Sequence, residues 1–328
     1  MLTVVICLVV LALLFDFING FHDAANSIAT IIATRVLKPW QALLYGAFFN
    51  FLAFFIFPLH VAMTIGTGIV EQEYISNVGI TAVLLAAITF NLITWWLKLP
   101  SSSSHALIGA LIGLGLVQAG FSSLELPAIL IIFASVFISP AIGMLLAYVL
   151  VKIIPRIHPG GPNVRFYKIL QLFSSALVSL GHGGNDAQKT MGVIFVLLQT
   201  NGYLLGDVQI PLWVALSCYT MIALGTLTGG WRIIETVGYK ITKLKPPSGA
   251  CAEFGSAFTL FMANNMGIPV STTYVVTGSV VGVSSYNAAE FKSTNWQIVK
   301  HIFIAWLITV PTCILFSAGI FWVLAELF

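Results

Sequence analysis

Apolar runs follow one another along this chain, near residues 3–18, 40–66, 78–97, 127–154, 166–180, 190–200, 211–229, 255–266 and 296–325, with very few charged residues inside them. Roughly 20 apolar residues span a bilayer as a helix, and a chain made of such stretches cannot close a water-compatible surface around itself. Only 8% of its residues are charged and 59% are hydrophobic, where a soluble domain needs about a quarter charged. A soluble fold is excluded and no nucleic-acid partner is expected. The chain reads as an all-α polytopic membrane protein, multi-pass in the cell membrane, with the lipid bilayer as its surroundings. Its first 15 residues lack the basic start and small-residue cleavage site of a signal peptide and read as the first spanning helix. Some runs exceed one span and others fall short, so about 10–12 crossings are expected, several of them broken.

Two Asp-bearing segments interrupt the apolar pattern at matching places: Gly20-Phe21-His22-Asp23-Ala24-Ala25-Asn26, and Gly181-His182-Gly183-Gly184-Asn185-Asp186-Ala187-Gln188-Lys189, 163 positions later. A carboxylate at membrane depth costs roughly 2.5–3.5 kcal/mol on insertion scales, so its presence needs a reason. Two further echoes follow in order. Pro100 to Gly113 aligns without gaps on Pro269 to Gly282, sharing Pro, Ser, Gly and Gly, with hydroxyls at 103/272 and 104/273; Ile138-Ser139-Pro140 aligns on Thr309-Val310-Pro311. Ordered echoes at offsets of 163, 169 and 171 indicate a duplication. The halves are 1–154 and 169–328, joined by a short segment, 155–168. Lys152, Arg156, Arg165 and Lys168 lie in or beside that segment without an acid, which places it in the cytoplasm. Lys240, Lys243 and Lys245 mark a second basic loop. If each half crosses an odd number of times, the two form inverted repeats with broken helices and re-entrant helical hairpins, the pattern of secondary transporters that bind at the repeat interface.

The residue types in the echoes suit an anion and a cation. Pro100 and Pro269 cannot continue a helix, and the Ser and Thr residues after them favour a helix start. A helix N-terminus inside the protein offers free N–H groups and about half a positive charge, an anion site reinforced here by hydroxyls. Ser102, Ser103, Ser104, Ser271, Thr272 and Thr273 form the candidate anion set. Gly109, Gly113, Gly278 and Gly282 read as packing positions. In the acidic segments, Gly20, Gly181, Gly183 and Gly184 are expected to let the helices unwind beside Asp23 and Asp186 and free carbonyl oxygens. Carboxylate and amide oxygens without a thiolate suit a hard cation. Asp23, Asn26, Asn185 and Asp186 are the candidate ligands, with sodium or a proton as occupant. Gln188 is assigned both to these and to the anion set. Lys189, three residues after Asp186, is its expected charge partner. Asp16 is expected to be interfacial or supporting, His22 and His182 to be hydrogen-bonded structural residues, and Glu253, Glu235 and Arg232 to be gate or topology residues, with no motif to choose between the two. Cys7, Cys218, Cys251 and Cys313 show neither disulfide nor metal spacing.

These motifs resemble the inorganic phosphate transporter family, the PiT group, whose signature Gly-x-Asn-Asp-x-Ala-Asn stands in each half. The segment from His182 to Gly192 is similar to the family's C-terminal form. The first copy has His22 where Asn is usual, though Ala25-Asn26 matches, and the Pro-x-Ser turns match in both halves. The resemblance implies uptake of inorganic phosphate by symport with sodium, or with protons, by a non-enzymatic helical transporter without a cofactor beyond the coupling ions. A homo-oligomer is compatible with it. Sulfate as cargo, a passive anion channel and an intramembrane aspartyl protease are the competing expectations. Asn26, Asn185, Gln188 and the repeated hydroxyls are ligands that proteolysis does not require.

Overall fold

A computed structural model describes residues 2–157, 164–204, 209–285 and 288–327. Every named element among them is helical: α1 Leu2–His22, α2 Ala24–Ala33, α3 Pro39–Leu52, α4 His60–Thr67, α5 Asn77–Trp96, α6 Ser103–Ala119, α7 Leu126–Ile157, α8 Val164–Thr200, α9 Leu212–Thr228, α10 Trp231–Glu235, α11 Pro246–Asn265, α12 Thr272–Ser284, α13 Ala288–Ser293 and α14 Trp296–Leu327. Helices α7 and α8 reach into the segment 155–168 from both sides, and what joins them falls at 158–163, outside the described residues.

Among the described residues five helices are long and apolar enough to cross a membrane, or seven if each of two bent pairs is one span. The sequence count of about 10–12 comes from nine apolar runs with the longest allowed to cross twice. Helices α8, of 37 residues, and α11, of 20, have the length but not the apolarity, because they carry Asp186, Lys189 and Glu253 turned into the protein. Helix α12, with 13 residues, is shorter than a span, whereas α6 and its following turn reach 21. The outer helices are α7 and α14, whose apolar windows are only 28% and 22% buried. Leu130, Phe137, Leu315 and Trp322 stand exposed on them, where a soluble protein would put charge.

Both bent pairs have local causes. Residues Pro39–Phe55 and His60–Gly66 meet at 84°, broken around Pro58, which has no N–H to give a helix. Residues Leu212–Thr228 and Trp231–Lys240 meet at 64°, broken at Gly229, whose φ of 68° suits glycine. The packing follows the sequence echoes in exchanged pairs. Helix α6 lies on α14 and α12 on α7; α4 lies on α8 and α10 on α2. Added Cβ atoms on Gly109 and Gly113 would fall 2.8 and 2.4 Å from the carbonyl oxygens of Val310 and Ile314. On Gly278 and Gly282 they would fall 2.4 and 2.2 Å from those of Pro140 and Met144. Helix backbones thus touch directly, as small residues allow inside membranes.

The expected unwinding beside the acids is corrected. Helix α8 runs unbroken through Gly181, Gly183, Gly184 and Asp186. The break between α1 and α2 is Asp23 alone, and its N–H still bonds Asn19 O at 2.8 Å. The glycines serve close approach instead. A Cβ on Gly183 would lie 2.3 Å from Asn50 O, and one on Gly20 2.3 Å from Ile222 O. Gly282→Ala should therefore destabilise the protein by about 1–3 kcal/mol through overpacking. Gly319→Ala, inside α14 with nothing within 4 Å of the added Cβ, should instead hold or slightly raise the melting temperature of the purified protein, a gain of about 0.4–1 kcal/mol in stability.

Candidate functional site

Helices α6 and α12 begin in the protein interior, against the acidic segments of α1–α2 and α8. One hydroxyl of each turn closes its own helix: Ser102 Oγ accepts from His105 N at 3.2 Å and Ser271 Oγ from Tyr274 N at 3.3 Å. Ser102 and Ser271 are N-caps; the next two hydroxyls in each turn reach the acidic segments, and Ser101, before the first cap, lies 3.4 Å from His22 Nε2. Ser103 Oγ donates to Asp23 Oδ2 at 2.6 Å and Thr272 Oγ1 to Asp186 Oδ2 at 3.0 Å. The following hydroxyls meet the next motif positions across the two halves. Ser104 Oγ accepts from Lys189 Nζ, while Thr273 Oγ1 accepts from Asn26 Nδ2 at 3.0 Å and donates to Asp23 Oδ1 at 3.5 Å. Asn26 Nδ2 also bonds Thr272 Oγ1 at 3.0 Å. Asp23, Asn26, Asp186, Lys189 and all six Ser and Thr residues are buried. Ser103, Ser104, Thr272 and Thr273 of the expected anion set and Asp23, Asn26 and Asp186 of the expected cation set therefore belong to one hydrogen-bonded cluster.

The two copies differ where Asn26 corresponds to Lys189. The Lys189 ammonium gives its three protons to Asp186 Oδ1 at 2.5 Å, Val270 O at 2.9 Å and Ser104 Oγ. Asp186 is thus paired with a cation. Asp23 has only the His22 ring, whose Nδ1 lies 2.6 Å from Asp23 Oδ1 and whose Nε2 lies 3.1 Å from Thr94 Oγ1. With neutral histidines the cluster keeps one uncompensated negative charge, costly in a low-dielectric interior.

His182 sharpens this. Its Nδ1 lies 3.1 Å from Asn50 Oδ1, an acceptor fixed by the Asn50 Nδ2 bond to Thr226 Oγ1 at 2.9 Å, so the network assigns the ring proton to Nδ1. His182 Nε2 lies 3.1 Å from Asp186 Oδ2 without completing a hydrogen bond to it. Ligand atoms of Asp23, His182 and Asp186 all lie within 4.8 Å of one another: two carboxylates that suit a hard cation or a proton, and an imidazole nitrogen that is a softer ligand.

The remaining expected residues stand apart. Gln188 receives Ala62 N at 3.2 Å and donates to Pro58 O at 2.9 Å, so its amide ties the broken α3–α4 bend and not the hydroxyl turns. Asn185 donates to Asn264 Oδ1 at 2.7 Å and to Ile268 O at 3.4 Å, while its buried Oδ1 has no partner. Asn50 and Glu253 escape assignment from the sequence because neither has an echo in the other half. Glu253 is buried and receives Thr30, Ser174 at 2.5 Å and Gln171 at 3.2 Å.

A helical membrane protein whose buried acids and interior helix N-termini converge belongs to the class of solute transporters. A family model described as "Phosphate transporter family" matches residues 19–317. The chain belongs to that family, and it is a transporter and not an enzyme. It is 51% identical over 315 residues to the "Probable low-affinity inorganic phosphate transporter" of Rhizobium meliloti (strain 1021), covering 95% of this chain and 93% of that one. It is 41% identical over 334 residues to a protein of the same description from Bacillus subtilis (strain 168), covering 100% and 99%. A solved structure described as "The sodium-dependent phosphate transporter" superposes with a TM-score of 0.91 at 27% identity, covering 99% of this chain and all of that one.

Lys189→Met leaves Asp186 buried without its cation and should cost about 3–5 kcal/mol of stability. Adding Asp186→Asn to that variant should recover most of the loss in thermal melting.

Proposed function

We propose that the protein carries inorganic phosphate into the cell by cation-coupled symport, with sodium as the coupling ion. Phosphate binds where α6 and α12 begin, and access alternates around two inverted repeats, 1–154 and 169–328. The observation that carries this reading is the exchange of hydroxyl and acidic partners within one cluster: Ser103 on Asp23, Thr272 on Asp186, Ser104 on Lys189 and Thr273 on Asn26. While the hydroxyl protons serve the carboxylates they are unavailable to an anion. A cation at Asp23, His182 and Asp186 takes over that service, and the freed hydroxyls turn to phosphate oxygens beside two helix N-termini. Each ligand thereby favours the other, which is what symport requires. Asn26 and Lys189 hold the hydroxyl turns in register, and Lys189 adds positive charge for the anion. The relatives named as inorganic phosphate transporters support phosphate as cargo, and the similar sodium-dependent structure supports sodium as the coupling ion.

Coupling has an energetic reason. Moving a divalent phosphate inward against about −100 mV costs about 4.6 kcal/mol, at about 2.3 per charge. Two sodium ions cancel the charge, and their gradient supplies about 1.4 kcal/mol per tenfold ratio for each ion. The 2.6 Å contact of His22 with Asp23 favours a second reading, in which a proton at that pair replaces one sodium.

Uptake of labelled phosphate into proteoliposomes, under an imposed sodium gradient, a proton gradient or neither, tests this. Sodium-driven accumulation is expected, and Asp23→Asn and Asp186→Asn should each abolish it while eluting as folded protein. Accumulation driven by protons alone selects the second reading. Normal uptake by both variants would remove the acids from the mechanism. Ser103→Ala combined with Thr272→Ala should raise the KM for phosphate roughly tenfold or more, the loss of hydrogen bonds to a charged group.

A further inference from the structure

Asp16 lies seven residues before Asp23 on the same helix and takes no part in the cluster described above. It is fully buried, with 0% of its surface exposed. Thr190 Oγ1 on α8 donates to its Oδ1 at 2.9 Å, and its Oδ2 has no hydrogen-bond partner. One turn further along α1, Asn19 is 1% exposed and its Oδ1 has no partner either. Residues three apart on a helix share a face. Two acceptor oxygens, one of them a carboxylate's, therefore stand on one buried helix face without a hydrogen-bond partner, and the neighbouring Cys218 thiol offers Asp16 only a weak donor.

The surroundings offer no compensating charge. The titratable groups facing Asp16 from α8 are Asp186 and Lys189, and those from α9 are Cys218 and Tyr219. All three protons of the Lys189 ammonium are committed to Asp186, Ser104 and Val270. Cys218 and Tyr219 are neutral groups, and the buried Tyr219 hydroxyl is itself unpartnered. An isolated carboxylate inside a membrane protein is costly in its charged form, whereas a proton on Oδ2 removes the charge and supplies the missing donor.

We propose that Asp16 and Asn19 form a proton-binding site, separate from the Asp23–Asp186 cluster, which takes up and releases its proton during each transport cycle. The O–H of the protonated Asp16 donates to the amide oxygen of Asn19, and Thr190 holds the other carboxyl oxygen. Thr190 directly follows Lys189, so the proton state of Asp16 is tied to the helix that carries Asp186. The transport step rests on the phosphate-symport reading; the binding site itself does not.

Two measurements separate these. In infrared spectra of the purified protein without phosphate, the difference between wild type and Asp16→Asn should contain the C=O stretch of a protonated carboxyl at neutral pH. Its absence would overturn the site, even in a protein that transports nothing. In proteoliposomes containing a trapped pH-sensitive dye, wild type should deliver more protons to the lumen per labelled phosphate taken up than Asp16→Asn, in which the phosphate's own equilibrium between monoanion and dianion alone sets the pH change. Asp16→Asn should still take up phosphate down its concentration gradient, and Asp16→Glu should restore the wild-type ratio. An equal proton-to-phosphate ratio in wild type and Asp16→Asn, or no phosphate uptake by Asp16→Asn, would overturn the transported proton. Vesicles that take up no phosphate under any gradient count against the symport reading, leaving the infrared result to decide the site.

Discussion

Everything in this molecule is arranged around the cost of placing carboxylates inside a membrane. Asp23 and Asp186 are tolerated because helices α6 and α12 begin beside them and supply hydroxyl donors, and because Lys189 pairs with one of the two. Those same hydroxyls, at helix N-termini with unsatisfied N–H groups, are what an oxyanion would want. One set of groups thus serves two ligands of opposite sign, and competition for it is the physical basis on which cation and anion binding can be linked.

Such a cluster needs helices brought closer than side chains normally permit. Gly109 and Gly113 admit α14, Gly278 and Gly282 admit α7, and Gly20 and Gly183 admit α9 and α3. Direct backbone contact supplies dispersion energy where lipid removes any hydrophobic drive to associate. It also fixes where Ser103 and Thr272 sit, since each lies on the first turn of a helix anchored by its glycines.

Symmetry is broken at the point where chemistry needs it. A second Lys at position 26 would neutralise both acids and leave no net charge for a cation, while a second Asn at 189 would leave two buried charges without compensation. With Asn26, Lys189 and neutral histidines the cluster carries one uncompensated negative charge, and His22 and His182 place ring nitrogens beside the carboxylates.

From the sequence alone come the membrane class, the paired motifs, and residue types of the site: apolar runs, Asp23 with Asp186 and the two Pro-x-Ser turns are all local or periodic signals. The packing role of Gly109, Gly113, Gly278 and Gly282 is legible from their four-residue spacing. Tertiary structure decided the rest. Gly183 and Gly184 read as points of unwinding and are not, because a sequence shows that glycine is present but not whether a neighbouring backbone needs its space. Gln188 lies in the motif yet binds the α3–α4 bend, since its direction depends on a segment more than 120 residues away. Ser102 differs from Ser103 only by one place on a helix turn, which makes one a cap and the other a partner of Asp23. Composition and repeats fix which groups a chain has buried in the bilayer; which of them touch is set by long-range packing, and no local pattern encodes that.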